Sequence, residues 1–348
     1  MKVLPPLRPA TLAVYLLVAS LTPGGISAAD PSPSHFNQPI RVATTAFGEA
    51  MEIEIRDLPT DQAEQAVQAV VKEIRKIERL TANTPSEKGG VAQLNEAGEK
   101  GLVLDQRLFA LLERALNFCF WSRGAHGPVG GPVYRLWGVP SPADSLPTAT
   151  SLTAAAARSS CNNLKLDIDS GRATLAPGTT LELRAFTKGF ALDQAMRVLA
   201  EHGSNNAYVE LGTYRCGAGD GPEGQGWRAL LPSLEGIAED FEDVWLSGQC
   251  MTSVRFDDHP LTAAGETFST YLDQRSGRPS EGVAGVVAVT ELAADAEGLA
   301  ASLLILGQRE GQMRLGGLKP APSILWLLGT GTGAPLLSTY HWADLRTR

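Results

Sequence analysis

The stretch LELRAFTKGFALDQAMRVLAEHG, Leu181 to Gly203, decides how the chain reads. Thr179 to Leu183 is a strand-like run, a short turn holding Lys188 and Gly189 follows, and then comes an amphipathic helix that buries Phe190, Leu192, Met196 and Leu199. A helix start directs free backbone N–H groups and the positive end of its dipole outward. A lysine there adds a point charge, and glycine lets a ligand approach the backbone. The segment is therefore expected to hold a phosphate.

Upstream, Ile40–Ala43 and Met51–Ile55 read as strands around a Phe47-Gly48 turn. A helix is predicted over Asp61–Thr81, with Ala63, Val67, Val70, Ile74, Ile77 and Leu80 on one face and Thr60 and Asp61 as its cap. A second spans Asp105–Arg123, with Leu108, Leu111, Leu112, Ala115 and Cys119 facing inward. The glycine-rich GAHGPVGGPVYRLWG, Gly124 to Gly138, reads as loop, Ser151–Ser160 as a short helix, and Leu164–Ile168 and Ala173–Leu175 as a hairpin.

Downstream the chain is mostly strand: Ala207–Glu210, Trp227–Leu231, Val244–Leu246, Thr267–Leu272 and Val283–Val289. A late helix covers Asp295–Leu306 and stops at Gly307, and Ser323–Tyr340 closes the chain as a hairpin. Strand-rich stretches alternate with isolated helices without a regular βαβ rhythm, which predicts an α+β fold. GTGTGA, Gly329 to Ala334, matches a dinucleotide fingerprint in letters only; Pro335 and a second strand follow where a helix is needed, so it reads as a hairpin turn.

The 348 residues, 43% hydrophobic and 20% charged, suffice for one large domain. A net charge of -8 with no basic block excludes a nucleic-acid surface. At the N-terminus, Lys2 and Arg8 precede an apolar run of 12 residues, Ala10–Leu21, and the small residues Ser27 and Ala29 precede Asp30. That is a signal-peptide pattern over 1–29, with a polar leader over 30–40; an uncleaved anchor is the alternative, and the only membrane attachment the sequence suggests. The mature chain is expected to be exported. Cys119, Cys161, Cys216 and Cys250 form no C-x-x-C or zinc spacing. Buried thiols are the favoured reading, and Cys216–Cys250 is the pair to test for a disulfide.

Zincin-type histidine spacing and a G-x-S-x-G elbow are both absent from the sequence. His126, in the glycine-rich loop, is the one histidine in a suggestive place, though a structural or solvent-facing role is favoured. Asp295 and Glu297 open the late helix; stabilising its dipole is favoured over holding a hard divalent cation.

The order of these segments resembles the ApbE family, flavin transferases that use FAD to attach FMN to other proteins. The family's Met-Gly-Thr turn corresponds to Phe47-Gly48-Glu49, and its Ser-Glu and Leu-Asn to Ser86-Glu87 and Leu94-Asn95. Its Gly-Ala-Phe-Asp-Pro-Thr, leading to Leu-Trp-Gly, corresponds to GAHGPVGGPVYRLWG, and its Asp-Leu-Gly-Gly-Ile-Ala-Lys-Gly-Tyr to ELRAFTKGF. Its His-Ile-Ile-Asp block is TYLDQRSG, Thr270 to Gly277, and its Ala-Asp-Ala-Leu-Ala-Thr-Ala is AEGLAAS, Ala296 to Ser302.

The resemblance implies one α+β domain over 41–348, of mainly antiparallel sheets with flanking helices and a ligand cleft between lobes. It implies a bacterial periplasmic enzyme whose partners are FAD and a flavin-accepting protein. A serine or threonine of that target would attack the FMN phosphorus, and AMP would leave, with Mg2+ neutralising the diphosphate. Carried over by position, the metal ligands are the Ala185 carbonyl, Glu297 and Ala301, with Asp295 and Ser302 as possible substitutes. The flavin and phosphate contacts are Phe47, Ala125, His126, Gly127, Glu182, Lys188 and Tyr271. Thr270 and Asp273 lie at the ends of the family's His-Ile-Ile-Asp. The departures fall on function: Glu297 replaces an aspartate, Ala301 a threonine, Thr270 a histidine and Gly127 an aspartate, while Arg184 and Ala185 replace glycines. Two readings stay open, transfer with a divergent metal site, and binding of flavin or a partner protein without transfer.

Overall fold

A computed structural model describes residues 38–83, 86–139, 142–231, 243–329 and 336–342. The expected signal peptide, and most of the leader, lie outside the described residues. Eight strands form one antiparallel sheet whose spatial order follows the chain: Ile40–Ala46, Glu49–Ile55, Ala207–Leu211, Tyr214–Ala218, Gln249–Arg255, Val283–Thr290, Ser323–Leu328 and Leu336–Tyr340. The Phe47-Gly48 turn joins the first two, with Ile40 opposite Ile55 and Ala46 opposite Glu49. Residues 330–335 lie outside the described residues, but the strands on either side of them pair antiparallel.

The helices are α1 (Thr60–Thr81), α2 (Val91–Ala97), α3 (Gln106–Trp121), α4 (Gly131–Leu136), α5 (Ala149–Arg158), α6 (Thr187–Glu201) and α7 (Ala293–Leu315). All but the last lie in sequence before the third strand or inside its long connection, and α1, α6 and α7 layer on one face of the sheet. The apolar stripe predicted for α1 is buried in full. In α6 Phe190, Leu192 and Leu199 are buried, while Met196 is half-buried. The hairpin Trp227–Leu230/Asp243–Leu246 covers the opposite face of the sheet, packing Val244 and Leu246 against Met251, Val287 and Leu325. A satellite core of Tyr134, Trp137, Leu152, Leu261 and Leu272 forms beside the main one.

Several expectations are corrected. Thr179–Leu183 is not a strand. Its backbone pairs with no strand: Leu181 N donates to Asn95 Oδ1 (2.7 Å), Glu182 N to Pro128 O (2.8 Å), and Thr180 O accepts from Gly131 N (3.2 Å). The first helix begins at Thr60 after Pro59 and has no side-chain cap; the fixed φ of proline and the Ala63 N–Pro59 O bond start it instead. Asp105 does cap α3, accepting from Arg107 N at 3.0 Å. The glycine-rich loop contains α4, with Pro132 in its first turn. Thr267–Leu272 splits into Glu266–Phe268 and Leu272–Asp273, because the Ser269 hydroxyl accepts from Tyr271 N (3.2 Å) and bends the chain. Gly307, at φ 73°, interrupts α7, and a further helical stretch follows it. The strands Tyr214–Ala218 and Gln249–Arg255 had no alternation to betray them, since both are buried on both faces.

The buried-thiol reading is overturned. Cys216 sits directly opposite Cys250 on paired strands and the two form a disulfide; Cys119 of α3 forms a second with Cys161. The Cys216–Cys250 bridge closes a 34-residue separation. Replacing both cysteines by alanine is expected to cost about 2–4 kcal/mol in denaturant unfolding, by releasing the unfolded chain; an unchanged midpoint would show that the sheet alone fixes this register. Among the described residues no helix is long and apolar enough to cross a membrane.

Candidate functional site

The site begins where α6 meets α7. A Leu183–Phe186 turn, closed by Phe186 N to Leu183 O (3.0 Å), leads into α6, and the Thr187 hydroxyl donates back to Leu183 O (2.9 Å). Two residues on, a Cβ at Gly189 would sit 2.4 Å from Ala293 O, so glycine lets the two helix starts touch. Asp193 clamps them by accepting from Ala293 N (2.6 Å) and Ala294 N (3.1 Å). Burial outweighs those two donors and pushes its carboxyl up to about 6.

This contact brings Glu297, in the second turn of α7, against α6. Its carboxylate is fully buried, accepting from Gly189 N (2.8 Å) and from the Tyr214 hydroxyl (3.0 Å). Burial pushes it up to about 7 and holds the Tyr214 phenol well above its ordinary range.

Over this floor opens a cavity of about 790 Å³, walled by Phe47, Glu182, Arg184, Lys188, Tyr271 and Glu297 among others. It lies where the main core meets the satellite core that supplies Tyr134. Arg184 is braced on three sides. Its Nη1 donates to Thr270 Oγ1 (3.1 Å), its Nε to Glu182 Oε1 (3.2 Å), and its guanidinium lies 4.7 Å from the Tyr134 ring centroid. The Lys188 ammonium is bonded to Glu49 and stands 5.4 Å from the Tyr214 ring centroid. Phe47, at φ 52° in its turn, has its N–H held by Glu78. Asp258 and His259 form part of the mouth.

Of the residues singled out in the sequence, Phe47, Glu182, Arg184, Ala185, Lys188, Thr270, Tyr271, Glu297 and Ala301 line this cavity. Six others do not. Ala125 and His126 are buried in the loop behind it. The His126 Nδ1 is 3.0 Å from Ser302 Oγ, its ring stacks on Phe186 at 4.4 Å, and burial lowers it to about 3. It is thus a neutral structural histidine, and it occupies the Ser302 hydroxyl that the sequence offered as a metal ligand. Gly127 serves packing, since a Cβ there would lie 2.4 Å from Cys119 Sγ. Asp273 pairs with Arg275 (2.8 Å), which also reaches Glu310. Asp295 pairs with Arg114 (2.9 Å) at a second cavity between α3 and the start of α7. Two residues of helix turn about 200°, so Asp295 and Glu297 face opposite ways.

The lining residues that the sequence did not offer as site residues include Glu49, Tyr134, Tyr214 and Asp258. Tyr214 lies on a strand without alternation and Tyr134 on a helix within apparent loop. Glu49, polar and next to a turn, left a local signal.

The donors at the positions carried over from the family do not make up the octahedron of oxygens that magnesium wants. Ala301 offers a methyl group, and Glu297 is fully buried, with Gly189 N and the Tyr214 hydroxyl each taking up one acceptor site of its carboxylate. Asp295 and Ser302 are engaged elsewhere. The Ala185 carbonyl and one buried carboxyl fall well short of an octahedron.

Comparison with known proteins completes the picture. The model of the ApbE family matches residues 47–321. Over 142 residues the chain is 34% identical to the FAD:protein FMN transferase of Treponema pallidum, a match covering 38% of each protein. Over 277 residues it is 26% identical to the FAD:protein FMN transferase of Rhodobacter capsulatus, covering 76% of this chain and 51% of that protein. The chain thus spans about half the length, or less, of these curated relatives. The crystal structure of the ApbE protein of Thermotoga maritima superposes with a TM-score of 0.76 at 19% identity, covering 89% of this chain and 100% of that one. That of the Pseudomonas stutzeri flavinyl transferase ApbE gives 0.75 at 20%, covering 88% and 96%. At such identities the superpositions establish the fold, and the match that runs from the Phe47 turn past the end of α7 establishes the kinship: this chain belongs to the ApbE family.

Proposed function

We propose that the chain binds FAD in the cavity above Glu297 and transfers its FMN portion to a serine or threonine hydroxyl of a target protein. The carrying observation is the pair of cations, Arg184 in the turn before α6 and Lys188 in its first turn, on the wall of a cavity that also holds Phe47 and Tyr271. The cations suit a diphosphate, and the aromatic rings suit a planar ring system. The two curated relatives carry the name of this activity.

In the proposed step the acceptor oxygen attacks the FMN phosphorus in line. A new P–O bond forms, the bond to the bridging oxygen breaks, and AMP leaves with that oxygen while the hydroxyl proton passes to solvent. Arg184 and Lys188 hold the diphosphate in place and neutralise the charge on its oxygens. No part of the step is routed through a metal. The two disulfides support export to an oxidising compartment, in keeping with the signal-peptide pattern, and we place the protein in a bacterial periplasm.

The test is incubation of the purified protein with FAD and an acceptor protein presenting the target hydroxyl, followed by flavin fluorescence on a denaturing gel and assay of AMP. A fluorescent acceptor band with matching AMP release is expected. Bound flavin with neither label nor AMP would leave binding without transfer as the function. Lys188→Ala is expected to weaken FAD binding about tenfold, a loss of one charge-assisted contact, as measured by quenching of flavin fluorescence.

A further inference from the structure

We infer that this site takes the diphosphate of its ligand without a divalent metal ion, holding it between the Arg184 guanidinium and the Lys188 ammonium, which give up the carboxylates of Glu182 and Glu49 for phosphate oxygens. The inference rests on the FAD-binding reading above and deepens it. The positions that the resemblance assigns to metal ligands here hold a methyl group, at Ala301, and a fully buried carboxyl bonded to Gly189 N and the Tyr214 hydroxyl, at Glu297. A diphosphate still brings two negative charges, and the protein must meet them with something else.

Arg184 is placed to do so. It stands in the turn before α6, on the wall of the cavity, where its fork of N–H donors matches phosphate geometry. Thr270 and the Tyr134 ring fix the guanidinium from two sides, so little side-chain freedom is left to lose on binding. Lys188 follows four residues later on the same wall. Each cation already has a carboxylate partner, so binding is an exchange. The pairs are only partly open to solvent, the side chains of Arg184 and Glu182 being 32% and 10% exposed and those of Lys188 and Glu49 19% and 26%, so each cation that leaves its carboxylate needs the phosphate oxygens in its place.

Neither carboxylate would be stranded. Glu182 Oε1 also accepts from the backbone N of Arg184 (3.2 Å), and Glu49 Oε1 lies 3.9 Å from the Nε2 of the exposed His259. The lining remains rich in acid, with Asp258 at the mouth and Glu78 bound to the Phe47 N–H. Those charges oppose an anion, which makes Glu49 a competitor for Lys188, and its removal should favour the ligand.

The experiment is titration of the full-length protein with FAD, and with ADP as a diphosphate lacking flavin, once in excess EDTA and once in Mg2+. Kd values equal within about twofold in the two buffers are expected. Arg184→Gly should raise Kd about tenfold or more in both, Arg184→Lys less, because it keeps the charge and loses the fork. Glu49→Gln should lower Kd severalfold. Binding that EDTA weakens tenfold and Mg2+ restores would overturn the inference while leaving the FAD reading intact. Absence of FAD binding in both buffers would overturn both. Metal-independent binding without transfer to an acceptor would support the inference and sink the transferase reading alone. The two wild-type arms need no variant to fold, and near-ultraviolet circular dichroism checks the packing of those that are made.

Discussion

Glu297→Ala is expected to destabilise the fold by about 5 kcal/mol at about pH 5, and by much less at about pH 8. The cost at low pH has two parts. The Gly189 N–H and the Tyr214 hydroxyl lose their acceptor where water does not reach, at about 1–3 kcal/mol each, and the vacated side-chain volume adds a cavity cost. The pH dependence follows from the carboxyl itself. Its folded value of about 7 lies above the ordinary 4.5, so the fold favours the protonated form. The stability this lends is complete below 4.5 and is lost as pH rises through 7, a change of about 3 kcal/mol. Wild type therefore loses that much relative to any variant lacking the carboxyl. Glu297→Gln, which keeps an acceptor, should cost about 2 kcal/mol at the lower pH and approach or exceed wild type at the higher. Denaturant unfolding of the three proteins at both pH values, in metal-free buffer, measures all of this. A wild-type-minus-variant difference that does not move with pH would mean that Glu297 is ionised in the fold throughout.

The same residue shows how much of the site could be read from the sequence. The α+β class, the Phe47-Gly48 turn, the buried stripe of α1 and the Lys188-Gly189 helix start all follow from local pattern, because periodicity and turn chemistry are local. Glu297 and Lys188 were found through order and spacing of motifs. What failed depends on contacts far apart in the chain. The structural role favoured for His126 holds, and what fails is the ligand contact carried over from the family, because the ring is buried against Phe186 and spent on Ser302, 176 residues away. Asp295 was offered beside Glu297, but helical rotation turns it to Arg114, 181 residues distant in sequence. Tyr214 was invisible because its strand is buried on both faces and carries no alternation. The disulfides were misjudged for a related reason: only the register that sets Cys250 opposite Cys216 reveals the bond.

Gly189→Val is expected to cost about 5 kcal/mol or to abolish cooperative folding, at the far end of what single substitutions do. The glycine is not there for backbone freedom, since it sits within α6. It is there because a Cβ would lie 2.4 Å from Ala293 O, 2.6 Å from Ala293 C and 2.9 Å from Ala294 N. Those are backbone atoms, and Asp193 holds the two N–H groups beside them, so they cannot move aside as a flexible side chain could. A branched side chain must then push α6 off α7, which breaks the Gly189–Glu297 bond and shifts Lys188 and Arg184 off the cavity wall. Gly316→Ala is the control. At φ -60° and with nothing within 4 Å of the added Cβ, it should be neutral or add about 0.5 kcal/mol by restricting the unfolded chain. Denaturant unfolding, with FAD titration of whatever folds, separates the outcomes. A Gly189→Val protein that unfolds like wild type would show that the two helix starts do not touch. One that folds at reduced stability and still binds FAD with wild-type affinity would show that the cations are positioned independently of this contact.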